Sequence, residues 1–140
     1  MKRALALSLA LLCLALCACS MFRTPSYTID YDSSSLYTQQ DMDLAIRTIL
    51  REFDTWEGCE MHAIRYGGDF FCSQEKLDWL NILEPERTFT ECICFFSDFR
   101  SPVTEGGDGA WALDFEYTDW QWWLARENGG PWVLVDWGYG

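Results

Sequence analysis

The C-terminal stretch of the chain, residues 117–139, reads YTDWQWWLARENGGPWVLVDWGY and predicts a β-hairpin. Two runs rich in tryptophan, valine and leucine, residues 117–126 and 132–139, flank the turn-forming Asn128-Gly129-Gly130. Asparagine and glycine adopt the positive φ angles that a tight turn requires, whereas aromatic and β-branched residues favour strands. The end of the chain is therefore expected to form two paired antiparallel strands.

The two faces of this hairpin differ in chemistry. A two-residue turn at Asn128-Gly129 or at Gly129-Gly130 places the same side chains on each face of the hairpin, because side chains alternate between the faces of a strand. The uncharged face, which we assign to the core, holds Trp120, Trp122, Leu124, Val133, Val135 and Trp137. The opposite face holds Gln121, Trp123, Ala125, Trp132, Leu134 and Asp136.

This second face mixes large indoles with polar groups, as recognition surfaces do. We therefore predict a binding surface for a second copy of the chain, another protein or a glycan. Its members are Gln121, Trp123, Trp132, Leu134 and Asp136. The alternative is that both indoles are covered, either by the glycine-rich loop at residues 101–109 or by the N-terminal segment.

Upstream, an amphipathic helix is predicted over residues 39–56. Thr38 and Asp41 have the spacing of a capping box, in which each side chain accepts a hydrogen bond from the backbone N–H of the other. Apolar residues then recur at the helical period and form a stripe that is expected to pack on the sheet. The stripe consists of Met42, Ala45, Ile46, Ile49, Phe53 and Trp56.

A strand, a short helix and a further strand complete the predicted order. Residues 59–66 alternate like a strand, and Ser73 and Pro85 bound a second helix. Residues 88–100 are apolar on both faces, which predicts a central strand. The expected fold class is α+β, a curved antiparallel sheet packed on one or two helices.

The N-terminus has the features of an export signal. Met1-Lys2-Arg3 is followed by an uncharged h-region over residues 4–18, whose 15 residues are fewer than the roughly 20 of a membrane-spanning helix. Leu16-Cys17-Ala18-Cys19 resembles the lipobox of bacterial lipoproteins, in which a cysteine after a small residue receives diacylglycerol before cleavage. Cys17 is the poorer acceptor, because bulky Leu16 precedes it.

We therefore expect a signal peptide over residues 1–18 and a lipid anchor on Cys19, which places the protein on the extracytoplasmic face of the cell membrane. A tether over residues 19–36 and a single domain over residues 37–140 would follow. Ordinary secretion is the alternative.

The charge of the chain argues against several partners. It has 22 acidic and 10 basic residues, a net charge of −12. Such a surface repels phosphate backbones and anionic headgroups, so we expect no nucleic-acid binding. We interpret the acidity as a solvated face that keeps the exported domain soluble. Recognition of a cationic partner is the alternative.

The predicted domain contains four cysteines, Cys59, Cys72, Cys92 and Cys94. Export permits disulfides, and four cysteines allow three pairings. Cys92 and Cys94 lie two residues apart on a strand, a poor geometry for a mutual bond, so each would more readily pair with Cys59 or Cys72. Buried free thiols are the alternative. No C-x-x-C spacing occurs and the one histidine is His62, so no metal site and no cofactor are expected.

The residues do not form a recognisable catalytic pattern. His62 would lie on the opposite strand face from Cys59, which prevents thiolate activation, although Cys92 or Cys94 could approach it in the fold. A glycosidase-like alternative would use carboxylates near aromatic residues, namely Asp114, Glu116, Asp119 and Asp136. We interpret the chain as a binding domain. An envelope enzyme, a glycan-binding module and an immunity or regulatory protein are its rivals.

The pattern W-x-W-x-L-x-R followed by GG-x-W-x-L-x-D-W-G-Y, from Trp120 to Tyr139, resembles the ending of small lipoproteins of Gram-positive gut bacteria. Gly58-Cys59 after an amphipathic helix is similar to theirs as well. The resemblance implies an NTF2-like or cystatin-like α+β fold. It transfers no site residue, because NTF2-like domains include enzymes, ligand binders and association modules.

Overall fold

A computed structural model describes residues 26–104 and 112–139. They form an α+β fold, a five-stranded mixed sheet with two helices, in which the strand order β1-β2-β3-β4-β5 follows the chain. The elements are β1 Thr28–Asp30, α1 Gln39–Phe53, β2 Glu60–Tyr66, a 3₁₀ helix Asp69–Cys72, α2 Gln74–Leu83, β3 Glu91–Arg100, β4 Glu116–Arg126 and β5 Val133–Gly138.

Some of the sequence predictions fall elsewhere in the chain. The proposed signal peptide and Cys19 lie outside the described residues, as does most of the glycine-rich loop. Among the residues that are described, none of the helices has the length and apolar character needed to cross a membrane.

Residues 28–36 belong to the folded domain, so the predicted boundary between a tether ending at residue 36 and a domain beginning at residue 37 is wrong. β1 pairs in parallel with β2, with Ile29 opposite Ile64. Further along, the hydroxyl groups of Ser34 and Ser35 each donate a 2.6 Å hydrogen bond to the carboxylate of Asp69. Three strand residues are too few to show a periodicity in the sequence. The sheet is consequently mixed rather than antiparallel, and α1 is the crossover between two parallel strands.

α1 begins as predicted. The backbone N–H of Asp41 donates to Thr38 Oγ1, and that of Thr38 donates to the Asp41 carboxylate, each at 3.2 Å. The apolar stripe is buried from Met42 to Phe53. The helix ends three residues earlier than predicted, and Trp56 beyond it stacks on Trp122 with ring centroids 5.0 Å apart.

The two helices cover opposite faces of the sheet. The α1 cluster packs the buried face of α1 against residues that include Ile93, Phe95 and Trp122. The α2 cluster packs Leu77 and Leu80 against the other face. Its buried sheet residues are Cys92, Cys94, Trp123 and Ala125. β3 contributes alternate residues to the two clusters, which confirms that it is a central strand with two apolar faces.

The final hairpin forms, but its register differs from the predicted one. Asn128 and Gly129 adopt φ angles of +48° and +69°, as the turn prediction required. Leu124 pairs with Leu134 and Trp123 pairs with Asp136, so Val135 is the extra residue of a β-bulge. The longer turn shifts the parity of residues 132–135, and the bulge restores the predicted pairing from Asp136 onward. Neither feature is visible in the composition. The predicted faces are therefore wrong at four positions: Trp132 and Leu134 face α1, whereas Val133 and Val135 pack in the α2 cluster.

Candidate functional site

The five residues of the predicted binding surface do not form one surface. Trp132 packs in the α1 cluster, where its Nε1 donates a 3.1 Å hydrogen bond to the carbonyl oxygen of Asp41. Leu134 lies on the same side. Trp123 lies on the α2 side, and each of the two indoles is 5% exposed. The predicted surface is therefore wrong as a unit, because the altered register places its members on opposite faces of the sheet.

Three of the five predicted residues nevertheless converge. Gln121, Trp123 and Asp136 line an open cleft of about 370 Å³ between α2 and strands β4 and β5. This volume lies within the range of about 300–1,000 Å³ found for small-molecule sites. The other lining residues are Glu75, Lys76 and Trp79 from α2, and Trp137, Gly138 and Tyr139 from the end of the chain. We refer to this cavity as the α2 cleft.

Two indoles build the aromatic part of the α2 cleft. Trp79 and Trp123 meet edge to face, with centroids 5.3 Å apart and planes at 82°. Phe71 contacts the ring of Trp123 in a similar way at 5.9 Å. Trp123 is buried and forms the base of the cleft, whereas Trp79 is half-buried and forms a wall that is open to solvent.

Polar groups surround the two rings. Trp123 Nε1 donates a 3.0 Å hydrogen bond to Gln121 Oε1 and thereby orients the amide group. The ammonium nitrogen of Lys76 lies 5.6 Å from the centroid of the Trp123 ring, within the distance of a cation–π interaction. Within residues 26–104 and 112–139, Lys76 forms no ion pair, although the carboxylates of Glu75 and Asp136 line the same cleft.

Sequence reasoning missed the contribution of α2 to this cleft. It treated the second helix only as a leucine stripe for the core, and Leu77 and Leu80 are indeed buried. Trp79 lies off that stripe, next to the polar residues of the helix. A large aromatic residue on the polar side of a short helix was the available signal.

Two further cavities have a different character. A groove of about 410 Å³ between α1 and the hairpin turn is lined by Leu44, Arg47, Thr48, Leu50, Arg51, Asp54, Gly130, Pro131 and Trp132. A cavity of about 340 Å³ lies beside the start of β3, where Tyr37, Cys72, Cys92 and Arg126 are among the lining residues. Neither contains two indoles together with carboxylates.

The four cysteines of the described residues are free thiols, and their positions narrow the open pairings. Cys59 precedes Glu60, which pairs with Arg100. Cys94 and Cys92 lie six and eight residues before Arg100 on β3, which places them roughly 20 Å or more from Cys59. Cys72 is closer to them, since Cys92 Sγ lies 3.9 Å from the carbonyl oxygen of Ser73. Burial raises the pKa of Cys92 to about 12 and also raises the pKa of Cys72, which keeps both thiols protonated.

The residues of the catalytic alternatives are dispersed. His62 Nδ1 and Glu116 Oε1 form an exposed pair at 2.8 Å. Asp114 and Asp119 accept ion pairs from Arg100 and Arg65. Of the four predicted carboxylates, Asp136 lines the α2 cleft. In the described part of the chain, no group of three or more histidine, cysteine or acidic side chains is arranged to hold a metal ion.

Comparison of the chain with known protein families, with curated proteins and with solved structures finds no match. Function is therefore inferred from the chemistry of the α2 cleft.

Proposed function

We propose that this protein is a lipid-anchored extracytoplasmic binding domain whose ligand occupies the α2 cleft. The observation that carries this proposal is the convergence of Trp79 and Trp123 with Gln121, Glu75 and Asp136 in one open cavity. Ligand sites typically combine aromatic walls with a few polar groups that fix orientation. Both walls of the cleft are regular secondary structure, which holds such groups more accurately than loops do.

A binding role is favoured over catalysis by what surrounds the cleft. His62, the only histidine of the chain, is not among the residues that line it, and neither are the four cysteines of the domain. Nucleophilic catalysis needs a base within hydrogen-bond reach of its nucleophile. The cleft instead offers aromatic rings, an amide and charged groups, which suit the binding and orientation of a ligand.

The proposed anchor lies close to this domain. If Cys19 carries the lipid, residues 20–27 link it to β1 and extend at most roughly 28 Å. The folded domain, and with it the α2 cleft, would therefore stay near the outer surface of the membrane. A ligand in the envelope or in the surrounding medium would be accessible to it.

The finer assignments of fold and family also belong to this proposal. The Trp-rich ending supports membership in the small lipoprotein family of Gram-positive gut bacteria. The packing of α1 on a sheet of four successive antiparallel strands supports an NTF2-like or cystatin-like fold. The parallel β1 departs from the antiparallel sheet expected from the sequence, and α2 covers the second face of the sheet.

A fragment screen tests the proposed function. The mature protein in nanodiscs would be titrated with water-soluble cationic, neutral and anionic fragments, with binding measured by ligand-observed NMR. We expect hits that Trp79→Leu removes, because this change eliminates one aromatic wall. The control is Phe70→Leu, at an aromatic residue that is 81% exposed and lies outside the cleft. Hits that are unaffected by Trp79→Leu, or no hits at all, would contradict the proposal.

A further inference from the structure

We propose that the ligand of the α2 cleft is an organic cation with an ammonium head group, which displaces Lys76 from the ring of Trp123. The inference rests on the proposed function and adds the chemical class of the ligand. Three features of the cleft support it: the contact that Lys76 already makes, the charges around the rings, and the surfaces that the rings present.

The cleft already holds an ammonium group. Lys76 Nζ lies 5.6 Å from the centroid of the Trp123 ring. Tryptophan is the side chain whose ring attracts cations most strongly, because the face of its π system is electronegative. Lys76 occupies this position without an ion pair to any residue in the described ranges. Its flexible side chain is therefore held there by the ring, and a ligand with the same head group can replace it.

The charges in the cleft favour a cation. Glu75 and Asp136 contribute two carboxylates and Lys76 contributes one ammonium, so the lining carries a net charge of −1 when all three are ionised. The whole chain, at −12, adds a field of the same sign. Field lines concentrate in clefts with low-dielectric walls, which raises the local concentration of cations and repels anions. A ligand that displaced Lys76 into solvent would meet two carboxylates and no competing positive charge.

The surfaces favour an organic cation over a metal ion. Hard metal ions require several oxygen ligands at short distance. Within residues 26–104 and 112–139, no cluster of acidic side chains supplies them. Two indoles supply hydrocarbon surface, which suits the methyl or methylene groups that surround an organic ammonium. Quaternary ammonium ligands are recognised by aromatic cages for this reason, and Trp79 with Trp123 forms two sides of one.

The proposal makes Lys76 a competitor of the ligand. Removal of its charge by Lys76→Gln should therefore strengthen the binding of an ammonium ligand. A role of Lys76 in holding the ligand, or in holding the fold of the cleft, would give the opposite result. The matched control is Arg87→Gln, which removes one positive charge from an exposed residue just beyond α2.

Choline and its neutral carbon isostere, 3,3-dimethyl-1-butanol, provide the direct test. Both would be titrated into the mature protein in nanodiscs of phosphatidylglycerol, a lipid without a choline group, and dissociation constants would be measured by NMR. We expect choline to bind about tenfold more tightly than the isostere, which corresponds to a cation–π contribution of about 1.4 kcal/mol. Lys76→Gln should raise the affinity for choline about threefold or more through the lost competition and the gained negative charge. Arg87→Gln should leave it unchanged.

A second pair of variants tests the aromatic wall. Trp79→Leu should lose most of the choline affinity, and Trp79→Phe should retain part of it, with near-ultraviolet circular dichroism as the check on folding. Equal binding of choline and the isostere, or weaker binding in Lys76→Gln, would overturn the inference. So would preferential binding of a neutral disaccharide such as cellobiose. Fragment hits in the cleft that exclude ammonium compounds would overturn the ligand class alone, whereas the absence of any hit would also overturn the proposed function.

Discussion

The guanidinium carbon of Arg126 lies 4.2 Å from the centroid of the Trp132 ring. The same guanidinium group pairs with Asp41 at 3.0 Å and with Glu91. Arg126 is 9% exposed, so this network fastens the end of β4 to the start of α1 and to β3. It also explains the position of Trp132, which a strand pattern placed beside Trp123. The cation and the helix hold the indole on the opposite side of the sheet.

We predict that Arg126→Met lowers the free energy of unfolding by about 2 kcal/mol, because it removes charge-assisted hydrogen bonds from a buried guanidinium to two partly exposed carboxylates. Chemical denaturation followed by circular dichroism measures the change. Arg87→Met, at an exposed arginine, is the control and should change the free energy by less than about 0.5 kcal/mol. Equal effects of the two substitutions would show that the network contributes nothing beyond surface charge.

The segment after β1 should be sensitive to acid. Hydrogen bonds from Ser34 and Ser35 hold the pKa of the Asp69 carboxyl well below its usual range. A lowered pKa in the folded state contributes stability that is complete above the unfolded value, about 3.9, and is lost as the pH falls toward the folded value. Asp69→Asn should therefore flatten the loss of stability between about pH 4 and pH 2. Denaturation curves at several pH values measure this loss. If the stability of Asp69→Asn falls as steeply with acid as that of the unsubstituted protein, other carboxylates cause the loss.

The cysteine positions restrict any disulfide. If the protein is exported and its thiols oxidise, we expect a bond between Cys72 and either Cys92 or Cys94, because Cys59 lies at the far end of β3. Peptide mass mapping without reduction identifies the pair. In the reduced protein, Cys92 and Cys94 should react with iodoacetamide only after unfolding, since both are buried. A disulfide that contains Cys59 would be incompatible with the observed register of β2 and β3.

The proposed anchor can be tested independently of the domain. Cys19→Ala should abolish labelling by a radioactive fatty acid and leave unprocessed precursor at the membrane, because the lipid is added before the signal is cleaved. Cys17→Ala is the matched control and should retain both the label and processing. Label retained by Cys19→Ala would move the anchor to another residue.

Local signals in the sequence predicted the elements whose stabilising contacts are local. The capping box of Thr38 and Asp41 and the apolar stripe of α1 are confirmed, because both depend on spacing within one helix. The two apolar faces of β3 also predicted its central place correctly. Asn128 and Gly129 marked the turn, since their positive φ angles require such residues.

The remaining features depend on contacts between distant parts of the chain. β1 has three residues and is defined by its pairing with β2. Val135, the extra residue of the bulge, lies in a uniformly apolar run. The sequence could therefore not show which side chains of this run face α1. The sequence predicted Gln121, Trp123 and Asp136 as part of a site. It could not show that Trp132 and Leu134 lie on the other face of the sheet. The wall formed by Trp79 became evident once α2 was placed on the second face of the sheet.

Indole resonances of the mature protein, labelled with ¹⁵N and assigned by tryptophan-to-phenylalanine variants, test the central claim most directly. During titration with choline or with a hit of the fragment screen, we expect the Nε1–H signals of Trp79 and Trp123 to shift with a common dissociation constant. The signals of Trp122 and Trp132, which are buried in the α1 cluster, should stay in place. Shifts confined to Trp132, with Trp79 and Trp123 unmoved, would locate the binding site in the groove beside α1 and contradict the assignment of function to the α2 cleft.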